Sequence, residues 1–315
     1  MSNKDFYLHF VKELIKFSPR LGKNEQKTAK FLEAYLKEQG IPFIVEKFHT
    51  SYPKNIKTCL VVDDKEIDCR PTSFVDGKIT RKSKVINSLL DYEGGANINF
   101  NPKSDDLSLA QHYHFPSLAI NKKDLVQLMS GEEIEGSIDV ERTGFLSKNI
   151  LVGNKNNPQY LVFAHYDCLE TGATDNASGV STMMGVIINH QELLENCLFI
   201  FSGNEEISYD RPQYWGRGFR ILEKRHPRLF KEAERILVID CVGNGETKLS
   251  TDEEFVSECF PIKNIKKFRK KILVACADLK KLYEIYHSAG DTVDQLSESH
   301  LEQAARVVVK FLKNR

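Results

Sequence analysis

Four apolar runs of strand length end in residues that bind metal ions or carry protons. YLVFA runs into His165-Tyr166-Asp167, CLFIFSGN into Glu205-Glu206, and ILVI into Asp240, while the loop beyond KILVACA leads to Tyr286-His287. A further loop brings Asp175-Asn176-Ala177-Ser178-Gly179 into a helix. Taken singly, each is ordinary: an HxD is usually a surface pair, adjacent glutamates usually face solvent, and an aspartate at a strand end usually caps a turn. On one rim they are harder to dismiss, because carboxylates brought together raise one another's pKa unless cations compensate. The carboxylates of Asp175, Glu206 and Asp240 with a shared hydroxide match the charge of two divalent ions. With the imidazoles of His165 and His287 they make a thiolate-free set that suits zinc best, with cobalt or manganese as alternatives. Two metals about 3.5–4 Å apart can share a hydroxide and clamp a polarised carbonyl, and zinc brings the pKa of bound water to about 7.

Such residues have to be held at the carboxyl ends of strands, where open α/β sheets bind ligands. After Asn149 the sequence supplies that frame. NILVG, YLVFAH, CLFIFSG, ILVIDCVG and KILVACA alternate with helical stretches at about 177–195, near 219–233 and from about Ser299. The fold class expected is α/β, with a mixed, mostly parallel central sheet flanked by helices. Leu301, Ala305, Val308 and Leu312 line one face of the last helix, and Ser299 with Glu302 can form its capping box. Residues 25–39 form an amphipathic helix through Ala29, Leu32, Tyr35 and Leu36, stopped by Gly40. From Ser51 to Gly144 the texture changes to short β-rich pieces separated by Gly, Asn and Asp, with 91–106 turn-like. The chain therefore divides into a catalytic domain of 1–50 and 145–315 and a β-rich insert of 51–144.

Composition narrows the partners. The chain has 315 residues, ample for a sizeable core. Forty-four basic residues balance forty-four acidic ones, so nothing global draws it to nucleic acid or an anionic membrane. The opening MSNKDFYLHFVKELIKF mixes charge with apolar residues at helical spacing and does not read as a signal peptide. No stretch is apolar enough to span a bilayer. Seven scattered cysteines without CxxC spacing read as reduced thiols, hence a cytoplasmic expectation.

HYD, GATDNASG, NEE, IDCVG and YHSAGDTVDQL, in this order, resemble the zinc-peptidase family of aminopeptidase Y and the bacterial leucyl aminopeptidases, with glutamate carboxypeptidases and glutaminyl cyclases as relatives. The resemblance covers 160–315, and FSPRLGKNEQKTAKFLEAYLKEQGI resembles the family's opening helix. It implies a zinc-exopeptidase-like fold with His165, Asp175 and Asp240 on one zinc, and Asp175, Glu206 and His287 on the other, Asp175 bridging. It implies Glu205 as general base and then acid, and Asp167 on the second nitrogen of His165. It makes Tyr286 a candidate oxyanion donor, although a packing aromatic is the equal alternative. It also implies a non-proline cis peptide at Asp175–Asn176. The segment HFPSLAINKKDLVQLMSGEEIEGSIDVERTGFLSKNILVG resembles the end of a protease-associated domain. The insert is thus a reduced module of that kind or an unrelated β-insertion shielding the cleft.

Other residues read more plainly. His112 and His114 are expected as a strand's surface pair, Cys168 and Cys241 as buried inert thiols, and KNIKKFRKK at 263–271 as a solvated loop. Trp215, in a segment that replaces the relatives' short turn, lines a substrate pocket or plugs the core. Only 46 residues separate Asp240 from His287, fewer than in many relatives, so specificity does not carry over. The function expected is a two-zinc aminopeptidase acting on a peptide substrate. A dipeptidase, a carboxypeptidase or a single-zinc glutaminyl cyclase is the alternative, and a non-catalytic binding module is the rival from another class. Oligomeric state is not legible.

Overall fold

A computed structural model describes residues 5–314. Two compact units divide them: unit 1 takes in residues up to Thr50, Phe145–Leu282 and Thr292 onward, and unit 2 comprises Ser51–Gly144 with Tyr283–Asp291. The strands are β1 (Phe43–Val62), β2 (Lys65–Glu66), β3 (Cys69–Pro71), β4 (Gly77–Thr80), β5 (Lys84–Asn87), β6 (Asn97–Phe100), β7 (Ser117–Ile120), β8 (Ile134–Gly153), β9 (Tyr160–His165), β10 (Cys197–Ser202), β11 (Arg235–Ile239), β12 (Lys248–Ser250) and β13 (Ile272–Cys276). The helices are α1 (Phe6–Ile15), α2 (Lys23–Glu38), α3 (Leu125–Ser130), α4 (Ser178–Asn189), α5 (Arg217–Arg225), α6 (Pro227–Glu232), α7 (Glu253–Cys259), α8 (Ile265–Phe268), α9 (Leu279–Ile285) and α10 (Glu298–Lys313).

Unit 1 is the mixed α/β sandwich that the strand pattern calls for. Its sheet runs β12-β13-β11-β9-β10-β8-β1. The central four strands are parallel, whereas β8 and β12 join antiparallel at either side. Six residues link β8 to β9, too few for a crossover helix, and β8 pairs with β10 instead. Alternation along the buried strands divides the core. Val162, Ala164, Phe199, Phe201, Leu237 and Ile239 face the layer of α1, α2, α4 and α10. Leu161, Phe163, Leu198, Ile200, Ile236 and Val238 face the layer of α5, α6 and α7. At one end of the first layer, Glu298 accepts the N–H groups of Tyr7 and Leu8 at 2.9 and 2.7 Å, so the first turn of α1 is capped from α10.

Several elements differ from the sequence expectation. The helix expected at 177–195 stops at Asn189, and Gln191–Glu195 follow as a separate 3-10 turn. That near 219–233 is broken at His226, because Pro227 disfavours helical backbone in the residue before it and starts a new helix. The cap of α10 is Ser297, whose side chain accepts from His300 N; Ser299 already lies inside the first turn. Part of KNIKKFRKK folds as α8 and a 3-10 turn.

Unit 2 is β-rich. Its own sheet runs β3-β7-β6-β5, and β6, within the stretch expected as turn, is largely buried. The first half of β8 pairs with β4, and the end of β1 with β2. Leu60, Ile79, Ile98, Leu118 and Ile138 belong to its core. Among the described residues no helix is long and apolar enough to cross a membrane. Met1–Lys4, part of the segment read as lacking a signal, lie outside them.

Candidate metal centre

Sheet register brings the chemistry to one rim. His165 is the last residue of β9 and pairs with Ser202 at the end of β10. Val238 pairs with Phe163, so Asp240 follows β11 at the level of His165. Arg20, fully buried, secures the chain beyond β9: Nε donates to Tyr166 O at 2.7 Å and Nη2 to Gly172 O at 2.9 Å.

The bridging candidate sits on a tight entry into α4. Gly172 takes a left-handed conformation at φ 64°, and the Asp175–Asn176 peptide is cis. Asn176 ties this turn to β11: its side chain donates to Ile239 O at 2.8 Å and accepts from Gly179 N and, at 3.3 Å, from Cys241 N. A Cβ on Gly179 would meet the Asn176 amide and, at 2.6 Å, Ile239 O, so α4 starts in contact with the strand end.

After β10 the chain turns through Asn204 at φ 53°. The Asn204 amide donates to Ile207 O at 2.6 Å and accepts from Thr50 Oγ1. Asp167, fully buried, accepts Glu205 N at 3.0 Å and Glu206 N at 2.9 Å, one on each oxygen. Its Oδ1 stands 3.6 Å from His165 Nδ1, longer than a hydrogen bond. Asp167 therefore fastens the two glutamates to the strand that carries the histidine.

On the other ring face, His165 Nε2 lies 3.2 Å from Asp175 Oδ1 and 3.5 Å from Asp240 Oδ1. Two ligand groups result, each with its donor atoms within 4.8 Å of one another: His165, Asp175 and Glu206, and Asp175, Asp240 and Cys241. Asp175 is common to both. The grouping differs from what the resemblance implies: Glu206 stands with His165, and Asp240 stands with Cys241, whose Sγ is 3.3 Å from Asp240 Oδ1. Burial first, then Asp175 and Asp240, push this thiol up.

The electrostatics without metal are those of crowded carboxylates. Burial raises the Glu205 carboxyl well above the usual range; His165 opposes that rise, while Glu206, Asp167 and Asp240 add to it. Burial acts to lower His165, but Asp167, Asp175 and Asp240 outweigh it and hold the imidazole well above its ordinary value. A buried imidazole and three carboxylates converging from separate elements are a donor set that fits a zinc ion.

His287 and Tyr286 belong to unit 2 and are described there. The two rings stack with centroids 3.7 Å apart. His287 stands at φ 49° with Nδ1 3.2 Å from Leu109 O, and its carbonyl accepts from Leu109 N. Ser108 Oγ donates to Tyr286 O at 2.6 Å. His112 is buried rather than on the surface and has a pKa pushed down to about 3, by burial and then by His287. His114 stacks on Phe74 with centroids 4.6 Å apart. Trp215 is half-buried, its Nε1 donating to Glu258 O at 2.9 Å, so it does not plug the core. Burial raises Cys168 to about 11. Sequence reasoning quoted the segments that contain Arg20, Glu25, Asn176 and Asn204 but missed what these four side chains do, which is to hold the site without being among its ligands.

Residues 149–253 match Peptidase family M28. No curated protein matches the sequence. Among solved structures, BSAP, a zinc aminopeptidase from Bacillus subtilis, is similar at 17% identity and TM-score 0.70, covering 96% of this chain and 92% of that one. An aminopeptidase from Aneurinibacillus sp. strain AM-1 is similar at 16% identity and TM-score 0.62, covering 96% and 92%. A glutaminyl cyclase from Tannerella forsythia is similar at 14% identity and TM-score 0.55, covering 99% of each chain. These likenesses show the fold.

Proposed function

From the match of residues 149–253 to Peptidase family M28 we propose that the chain is a zinc metallopeptidase, and specifically a two-zinc aminopeptidase removing N-terminal residues from peptides. One observation supports the reading: Asp175 is common to two groups of candidate donor atoms at the rim of the parallel strands; the division of His165, Asp240 and Glu206 between the ions follows the motifs, with His165 Nε2 3.5 Å from Asp240 Oδ1. His165 and Asp240 would hold one zinc with Asp175, and Glu206 would hold the other with Asp175. His287 joins the second set on the strength of YHSAGDTVDQL alone. Zinc, when bound, would polarise the scissile carbonyl and acidify the attacking water.

The protein's own groups do the rest. Glu205 is a buried carboxyl whose backbone is fixed next to that of the ligand Glu206. It takes a proton from water on a carboxylate oxygen and delivers it to the leaving amine nitrogen. Asp167 holds it in place, so the proton donor and the ligand move as one piece. The proposed partner is a peptide with a free N-terminus; Tyr286 is the candidate for stabilising the oxyanion.

Glu205→Gln is the test. Zinc content should stay at two per chain while kcat falls by about 10²–10⁴, the contribution of a positioned acid-base group. Near-normal turnover would sink the assignment of Glu205. Peptides with free and acetylated N-termini, assayed side by side, test the exopeptidase class, since only the free form should be cut. One zinc per chain with cyclisation of an N-terminal glutaminyl peptide would replace this reading with a cyclase.

A further inference from the structure

Glu25 lies on α2, away from the motifs that carry the ligands and the base, yet it is fully buried. Its Oε1 accepts from Ser147 Oγ, and its carboxylate also accepts a backbone hydrogen bond from Asn204. Oε2 is buried without a hydrogen-bond partner. A Cβ on Gly203 would come within 2.6 Å of Tyr166 OH, Glu25 Oε1 and Ser147 Oγ. The turn therefore closes directly onto this carboxyl, and glycine is what permits it.

We propose that Glu25 is a positioning residue for the reaction: with Asp167 it captures three successive N–H groups, those of Asn204, Glu205 and Glu206, and so fixes the turn that carries the general base and a metal ligand. Asp167 takes the second and third of them, and Glu25 takes the first. Successive N–H groups around a left-handed residue make a concavity that attracts negative oxygen; here two carboxyl groups from separate elements fill it. Burial, with Asp167 adding to it, holds Glu25 toward its neutral form. Its work is therefore that of an acceptor, for which a charge is not needed. A neutral amide oxygen should serve as well, and a methyl should not.

Glu25→Gln and Glu25→Ala separate these cases, with Ser147→Ala as a milder variant that leaves the Asn204 contact in place. The first readout is amide hydrogen exchange over 203–207, which needs no turnover. Exchange should speed up in Glu25→Ala and stay close to wild type in Glu25→Gln and Ser147→Ala. The second readout, which rests on the peptidase reading, is kinetic. Glu25→Ala should lose about 10–100-fold in kcat with KM little changed, the usual cost of removing a group that orients a site, and Glu25→Gln should stay within about threefold. Unchanged exchange in Glu25→Ala overturns the proposal, as does equal loss in the Gln and Ala variants. A wild-type protein that cuts no peptide refutes the peptidase reading instead, and the exchange contrast would still report on the bracket.

Discussion

Asp167 has two oxygens and two backbone partners, and no side chain of equal size but different chemistry can serve both. Asparagine offers one acceptor oxygen and turns an N–H toward the other amide. Asp167→Asn should therefore leave one buried N–H unpaired, at about 1–3 kcal/mol. It should also weaken zinc binding or turnover about 10–100-fold. Urea denaturation and a competitive zinc titration check the two effects, and an Asn variant with wild-type values in both would show that the bonds to Glu205 and Glu206 do not matter. The same residue shows where reading a sequence stops. The HxD spacing pointed to a carboxylate near His165, and one is there at 3.6 Å. That its stronger contacts run to the Glu205-Glu206 backbone follows from strand adjacency, which no local spacing encodes.

At the scale of elements, the junction between α4 and β11 is the tightest spot near the site. Gly179→Ala would push a methyl into Asn176 and Ile239 O. The expected outcome is a loss of about 1–3 kcal/mol from overpacking, read as a lower urea midpoint; an unchanged midpoint would mean the helix start can yield. The strands themselves were legible because buried parallel strands are unbroken apolar runs, and their ends carried the motifs. Helix termini were less so. Pro227 split one helix that apolar periodicity had joined, and the cap of α10 fell on Ser297 because only the structure reveals which serine precedes the first turn. Glu25 and Arg20 were not legible at all. In EQKTAKFLEAYL a glutamate near the helix start looks like a first-turn residue facing water, and only the three-dimensional fold buries it.

For the molecule as a whole, the crowded carboxylates tie stability to pH and metal. Glu205 has a folded pKa above its ordinary 4.5, so the folded metal-free protein keeps a proton that the unfolded chain releases. Stability then falls as pH rises above that value. His165 is likewise raised above 6.5; its contribution is full below that value and is lost as pH rises through the folded pKa. Both act in one direction. Metal binding displaces these protons, so zinc should raise Tm by an increment that grows from about pH 5 to about pH 8. Thermal melts with chelator and with zinc across that range test this, and a pH-independent increment would rule out proton–metal exchange at the site.

The clamp between Glu298 and the first turn of α1 has a consequence for how the chain is made. α1 has no side-chain cap of its own, and a ten-residue helix is marginal in isolation. During synthesis α1 leaves the ribosome well before α10, and the carboxylate that completes it is translated some 290 residues later. For that interval Phe10, Val11 and Leu14 lack the helix that will help to bury them. Part of that apolar stripe thus stays uncovered in the nascent chain until α10 arrives, a stretch of translation in which a chaperone that binds apolar segments has a ready target.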